Sequence, residues 1–265
     1  MKIVLAQLTP TPDPGEGCAR IRDTIGTSPG ADLVMFPELF VGGYASRGLE
    51  ARSIEAGGPQ LAAITAACRD TGTGAVFGFV ETLGGGRFAN SAACIDADGS
   101  LAGIYRKTHL FGTGEQTGFE AGDALLLTRV CGRSVGPLIC FDIEFPEPAR
   151  KLALAGADLL VSIAANMKPY ANDHRLTVRA RALENRLPHL YVNRTGSEGG
   201  FDFVGESCLV SPDGTVVAEL GPDEGLLEVE IPAPEPPGDA KTDYLSQIRP
   251  NLEVNIKNQP HGEER

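Results

Sequence analysis

The same succession of patterns runs through the chain twice, and each round closes on an Asp-Gly hairpin. In the first round Lys2 to Gln7 reads as a strand, Gly17 to Thr27 as a helix and Asp32 to Phe36 as a short buried strand. Pro59 to Thr71 follows as a helix with Pro at its first position, where the N–H it lacks would be unpaired anyway. The β-like runs Gly74 to Thr82 and Phe88 to Ile95 come next, and the turn Asp96-Ala97-Asp98-Gly99 leads into a strand from Leu101 to Lys107. The second round begins with two strands between Leu125 and Cys140. A helix from Pro146 to Ala155 is stopped by Gly156, then come a buried strand over Asp158 to Ile163, a helix over Asn172 to Arg186 and a strand over His189 to Thr195. A hairpin from Cys208 to Val217 turns at Ser211-Pro212-Asp213-Gly214, 115 residues after the first Asp-Gly turn.

Each half read this way is a sheet with helices on one face, and the other face has to be covered. Packing the two bare faces together predicts an α/β protein built as a four-layer α-β-β-α sandwich. A length of 265 residues suits both halves joined as one domain, residues 1–265. From Ile231 onward the run Pro-Ala-Pro-Glu-Pro-Pro-Gly ends regular structure, so residues 232–265 are expected to be an extended C-terminal tail against the domain or a neighbouring subunit. The formal net charge of −12 argues against nucleic acid as a partner. No stretch approaches the ~18 apolar residues of a membrane span, and the first strand starts with no signal-peptide pattern before it, so a cytoplasmic protein is expected. The six cysteines form no C-x-x-C pair and read as reduced thiols.

Three segments place a reactive side chain just beyond a buried strand, where loops on a rigid scaffold can meet. In Phe36-Pro37-Glu38-Leu39-Phe40 a carboxylate stands among apolar residues; buried there Glu38 is a candidate general base, and otherwise a cap for the next segment. In Tyr105-Arg106-Lys107-Thr108-His109-Leu110-Phe111, Lys107 ends a strand, either as a cation for an oxyanion or a thiol, or as a surface lysine; His109 reads as structural. In Leu138-Ile139-Cys140-Phe141-Asp142 a thiol stands at an elbow before the helix at Pro146. Backbone N–H groups after it can point at a developing oxyanion, unless the thiol is simply buried and inert.

Together these segments resemble the nitrilase superfamily of carbon–nitrogen hydrolases, whose members use a Glu–Lys–Cys triad. The resemblance extends to Glu115, to Phe145-Pro146-Glu147, Arg181-Ala182-Leu183-Glu184-Asn185, Asn193 and Gly205-Glu206-Ser207, and so covers nearly the whole chain. It implies the same sandwich, assembled as a homodimer with the tail crossing to the partner. It further implies that Cys140 is the nucleophile, Glu38 the general base, Lys107 with the Phe141 N–H the oxyanion site, and Glu115 a second glutamate that holds the triad. No metal or organic cofactor is implied. Cys140-Phe141-Asp142 is nearer to the amidase branch than the Cys-Trp-Glu of true nitrilases, and Lys107 to Gly112, Ala165 to Tyr170, Val178 to Arg181 and Asp243-Tyr244-Leu245 with Arg249 are similar to bacterial aliphatic-type and stereoselective amidases, a resemblance that implies a small primary carboxamide as substrate, with a distal amine or guanidine. Tyr44, Phe141, Glu144, Asn166 and Met167 are the candidates for its pocket, Glu144 as an acidic contact for a cationic tail. The alternatives are an N-carbamoyl amine or amide hydrolase and a catalytically silent scaffold.

Overall fold

A computed structural model describes residues 1–234, 243–249 and 251–253; the rest of the expected 232–265 tail lies outside the described residues. The first sheet is built from β1 (Lys2–Gln7), β2 (Leu33–Met35), β3 (Gly74–Gly84), β4 (Arg87–Ile95) and β5 (Leu101–Arg106). The second holds β6 (Thr128–Val130), β7 (Arg133–Ile139), β8 (Leu159–Ala164), β9 (His189–Asn193), β12 (Cys208–Val210) and β13 (Val216–Glu219), while Ser197–Glu198 (β10) and Phe201–Asp202 (β11) form a separate small hairpin. The last strand, β14 (Gly225–Glu230), returns to the first sheet and pairs antiparallel with β1.

Strand order is β14-β1-β2-β3-β4-β5 in one sheet and β13-β12-β9-β8-β7-β6 in the other. In both, three parallel strands carry one antiparallel neighbour on one side and an antiparallel pair on the other. The two Asp-Gly turns fall at equivalent places, between β4 and β5 and between β12 and β13. The twofold pattern read from the sequence is therefore present in the connectivity.

The layers follow from alternation along the strands. Ile3, Leu5, Leu33, Met35 and Val76 of the first sheet share one apolar cluster with Val135, Leu138, Leu190 and Val192 of the second. Their neighbours Val4, Ala6, Val34 and Phe36 turn the other way, onto α1 (Pro14–Gly26) and α2 (Pro59–Thr71), and meet Ile21, Ile25, Leu61 and Ile64 there. α4 (Pro146–Leu154) and α5 (Ala171–Asn185) cover the far face of the second sheet through Ala149, Leu152, Val178 and Ala182. The arrangement is the expected α-β-β-α sandwich. α1 starts at Pro14 rather than Gly17 because the Asp13 carboxylate accepts from the Glu16 N–H at 2.8 Å and caps the helix earlier.

One buried polar pair inside the helix–sheet layer sets a pH dependence. His189 is fully buried, with Nε2 2.7 Å from Ser162 Oγ and Nδ1 3.2 Å from the Val178 carbonyl oxygen. That oxygen can only accept, so Nδ1 carries the hydrogen and Nε2 accepts from the serine hydroxyl. Burial, aided by the Arg181 charge, pushes the imidazole pKa from 6.5 down to about 4. The unfolded chain binds a proton near pH 6.5 that the folded chain refuses until about pH 4. Stability present above that interval is therefore lost as the pH falls through it, by roughly 3 kcal/mol from this group alone. His189→Asn is expected to flatten the dependence of urea-unfolding free energy on pH between 6.5 and 4. An unchanged slope would assign the loss to other groups.

Candidate active site

Glu38 reaches the interior because its loop lies directly on bare backbone. The Phe36 N–H donates to the Val76 carbonyl at 2.8 Å and the Gly78 N–H to the Pro37 carbonyl at 3.1 Å. A Cβ on Gly78 would stand 2.4 Å from the Leu39 nitrogen, so only glycine lets the loop and β3 approach this closely. Lys107 follows the last residue of β5, and its N–H donates to the Asn90 carbonyl at 2.9 Å. Cys140 follows β7 with a left-handed φ of 47°, at the head of a 3-10 turn over Cys140–Glu144. A strained backbone of this kind persists only where the surroundings over-determine it.

Much of that determination comes from Asp142, which is fully buried. Its Oδ2 accepts from the Ile139 N–H at 3.0 Å and the Tyr105 hydroxyl at 2.8 Å. Its Oδ1 accepts from the Thr108 hydroxyl at 2.9 Å and the His109 N–H at 3.0 Å. The carboxylate thus ties the Cys140 turn to the segment that carries Lys107. His109 itself is half-buried, stacked on Phe145 with ring centroids 4.2 Å apart, as a structural histidine.

Lys107 Nζ lies 2.7 Å from Glu38 Oε1 and 2.8 Å from Glu115 Oε2, and all three side chains are buried. Glu115 belongs to α3 (Gly112–Gly118) and also accepts from the Tyr44 hydroxyl at 2.8 Å and the Phe111 N–H at 2.9 Å. Asn90 Nδ2 donates to Glu38 Oε1 at 2.6 Å, so one oxygen of that carboxylate is doubly occupied. The other, Oε2, is buried with no hydrogen-bond partner among the described residues.

The electrostatics follow from this packing. Burial lowers the proton affinity of Lys107, but Glu115 and Glu38 together outweigh it and hold the ammonium well above its usual pKa. Burial pushes the Cys140 thiol well above its usual value, the Glu38 charge adds to this, and Lys107 only partly offsets them. Burial also raises Glu115, against the pull of Lys107. At neutral pH the sulfur therefore carries its proton, close to a carboxylate with a free oxygen and to a fixed cation. Such a group of nucleophile, proton acceptor and cation can attack a carbonyl carbon and stabilise the oxyanion that results.

Of the other candidates, Tyr44 and Met167 come together with Ala165 and Phe203 in one apolar cluster, which Tyr44 links to Glu115. The Phe141 ring meets Phe111 and Phe145 edge-on. Asn166 is turned into its own loop, donating from Nδ2 to the Tyr170 carbonyl at 3.4 Å and accepting the Met167 N–H at 2.9 Å. Glu144, the last residue of the 3-10 turn, is not brought to the group: its carboxylate lies 3.5 Å from His174 Nε2 on α5 and its carbonyl accepts from Arg181. Asn90 and Asp142 were missed as site residues by sequence reasoning. The only sequence signals are an amide within the buried core of β4 and an acid two residues beyond the thiol. Among the described residues no cluster of His, Cys, Asp or Glu is arranged to hold a metal, and no helix is long and apolar enough to cross a membrane.

Removing the ammonium would leave two carboxylates facing each other in the interior. Lys107→Met is expected to lower the urea-unfolding free energy at pH 7 by about 3–5 kcal/mol. Part of this should return as the pH falls, because the carboxylates then bind protons. A loss that does not depend on pH would contradict the charge account.

A family model described as carbon-nitrogen hydrolase matches residues 2–235. The chain is 39% identical over 259 residues to a Pseudomonas protegens protein described as "Hydrolase in pqqF 5'region", covering 95% of this chain and 90% of that one. It is 38% identical over 235 residues to an (R)-stereoselective amidase from Pseudomonas sp., covering 87% and 85%. Among solved structures it superposes on a nitrilase-superfamily amidase from Nesterenkonia with a TM-score of 0.80 at 30% identity, covering 94% of each chain. A glutamate-to-glutamine variant of that amidase carries the acetamide moiety of fluoroacetamide covalently on its active-site cysteine.

Proposed function

The chain belongs to the carbon–nitrogen hydrolase family and is a cysteine-dependent amidase of the nitrilase-superfamily type; on that footing we propose that it hydrolyses a small primary carboxamide through a thioester on Cys140. Glu38 Oε2 takes the thiol proton as the sulfur bonds to the carbonyl carbon, and the displaced electron pair settles on the oxygen. Lys107 and the Phe141 N–H stabilise that oxyanion. When it collapses the C–N bond breaks, and the nitrogen leaves as ammonia with the proton held by Glu38. Water then attacks the thioester, giving a proton to Glu38, which returns it to the sulfur as the acid departs. Glu115 keeps Lys107 in place throughout.

The observation that carries this reading is the division of labour on Glu38. One oxygen is occupied by Lys107 and Asn90, and the other is buried and free for the proton. The finer reading is an amide with a distal amine or guanidine. Glu144 is engaged with His174, so the contact for such a cation falls to ring faces, those of Tyr44, Phe141 and Phe111 being the candidates, since the Phe203 ring already carries Arg194. We further read the enzyme as a cytoplasmic homodimer of single-domain chains. The exposed Leu176 and Leu183 on α5 support association through that helix.

An ammonia-release screen over primary amides graded by length and terminal charge tests the reading, with intact-protein mass reporting acylation. Wild-type protein should release ammonia and gain one acyl group, and Cys140→Ala should do neither while unfolding at an unchanged temperature. Carbon dioxide accompanying the ammonia would support carbamoyl chemistry instead, and the absence of any adduct or release would support a scaffold. Lys107→Ala should lower kcat far more than it raises KM, because its contact forms mainly in the transition state.

A further inference from the structure

Outside the group around Cys140, the densest polar contact of the neighbouring loops converges on Glu198, at the start of the β10–β11 hairpin. Its Oε2 accepts from the Tyr44 backbone N–H at 2.8 Å and from Arg194 Nη1 at 2.8 Å, and its Oε1 from Arg52 Nη1 at 3.1 Å. Arg194 is 1% exposed and its guanidinium stacks 3.9 Å above the Phe203 ring. The same Phe203 ring and that of Phe201 meet Tyr44 edge-on. Arg52 in turn donates to the Gly42 carbonyl at 2.8 Å. These donors outweigh burial and hold the Glu198 carboxyl below its usual pKa, so it is charged at neutral pH.

The backbone is shaped to meet this carboxylate. Gly43 has a φ of +75°, and a Cβ there would stand 2.6 Å from Glu198 Oε1. Gly42 has a φ of +107°, and a Cβ there would stand 2.5 Å from the Arg52 carbonyl oxygen. Both glycines lie between Glu38 and Tyr44, and the Gly43 N–H closes the loop on the Leu39 carbonyl at 3.0 Å. Glu198 therefore fixes the far end of the loop that begins at Glu38 and holds Tyr44 where its hydroxyl meets Glu115.

We propose that Glu198 is a positioning residue for the amidase chemistry: through the Tyr44 N–H it sets the place of the Tyr44 hydroxyl and so of the Glu115–Lys107–Glu38 group. This rests on the reading of Cys140 and its neighbours given above. A hairpin anchor without that role would support only stability, whereas displacement of the Tyr44 loop would misplace groups that act on the reacting carbonyl.

The test compares wild type, Glu198→Asp, Glu198→Gln, Tyr44→Phe and the Glu198→Asp/Tyr44→Phe double variant by kcat and KM on one amide, by thermal midpoint, and by the rate at which iodoacetamide alkylates Cys140. Glu198→Asp keeps a charge for the buried Arg194 but withdraws from the Tyr44 N–H. It is expected to lower kcat and the alkylation rate by about tenfold or more with KM within about twofold, since small misplacements near the chemistry cost up to ~100-fold. Tyr44→Phe should give a similar loss, and the double variant should be no worse than the poorer single one. Multiplying losses, or a fall in thermal midpoint with kcat and alkylation unchanged, would overturn the proposal. Should Glu198→Gln not fold, Glu198→Asp decides alone. Wild type that alkylates at Cys140 but turns over no amide would sink the amidase reading, and the alkylation rates of the variants would still decide the role of Glu198.

Discussion

One ammonium between two carboxylates, all withdrawn from water, governs the arrangement around Cys140. Lys107 keeps its charge because Glu38 and Glu115 face it directly, and among the described residues it is the one cation ion-paired to either acid, whose burial it makes tolerable. Burial is the main reason the thiol retains its proton, and Glu38 adds to it against the pull of Lys107. The sulfur is thus kept from being a permanent thiolate.

The repeated sheet topology explains why these groups meet. In each half the parallel strands deliver their following loops to the same end of the sandwich, and the contact of the Glu38 N–H with the Ala164 carbonyl at 3.4 Å joins the loop after β2 to the end of β8 across the sheets. The halves are alike in connectivity and unlike in what they contribute. The first supplies the acids and the lysine, and the second supplies the sulfur together with the backbone around Ala165 and Asn166.

What the sequence made legible are the residues that end apolar strands. Glu38 and Cys140 each follow a run of buried side chains, where a polar group has few places to go, while Lys107 follows a strand in which only Tyr105 is buried. α3 was not foreseen, because Gly112-Thr113-Gly114-Glu115-Gln116-Thr117-Gly118 has poor helix propensity and is held by the contacts of Glu115. β14 was not foreseen either: as a partly exposed edge strand with charged Glu228 and Glu230 it lacks the apolar run of a central strand. Asn90, Asp142 and Glu198 each act on partners distant in the chain, Glu38, Tyr105 and Tyr44 respectively, and their nearer contacts to Ile139 and Arg194 do not reveal this in the sequence. The engagement of Glu144 by His174 and Arg181 of α5 was likewise not legible, since both partners lie more than 25 residues on in the chain.

The pairing of β14 with β1 has a consequence for the order of assembly. β1 is synthesised well before β14, so its outer edge stays open until residues 225–230 arrive, and the Met1 nitrogen then bonds the Ile231 carbonyl at 3.0 Å. A nascent chain carrying everything up to β13 would hold the second sheet with all its strands while the first still presents unpaired N–H and C=O groups along β1. The interval before β14 emerges is when the growing protein is most open to pairing with a foreign strand.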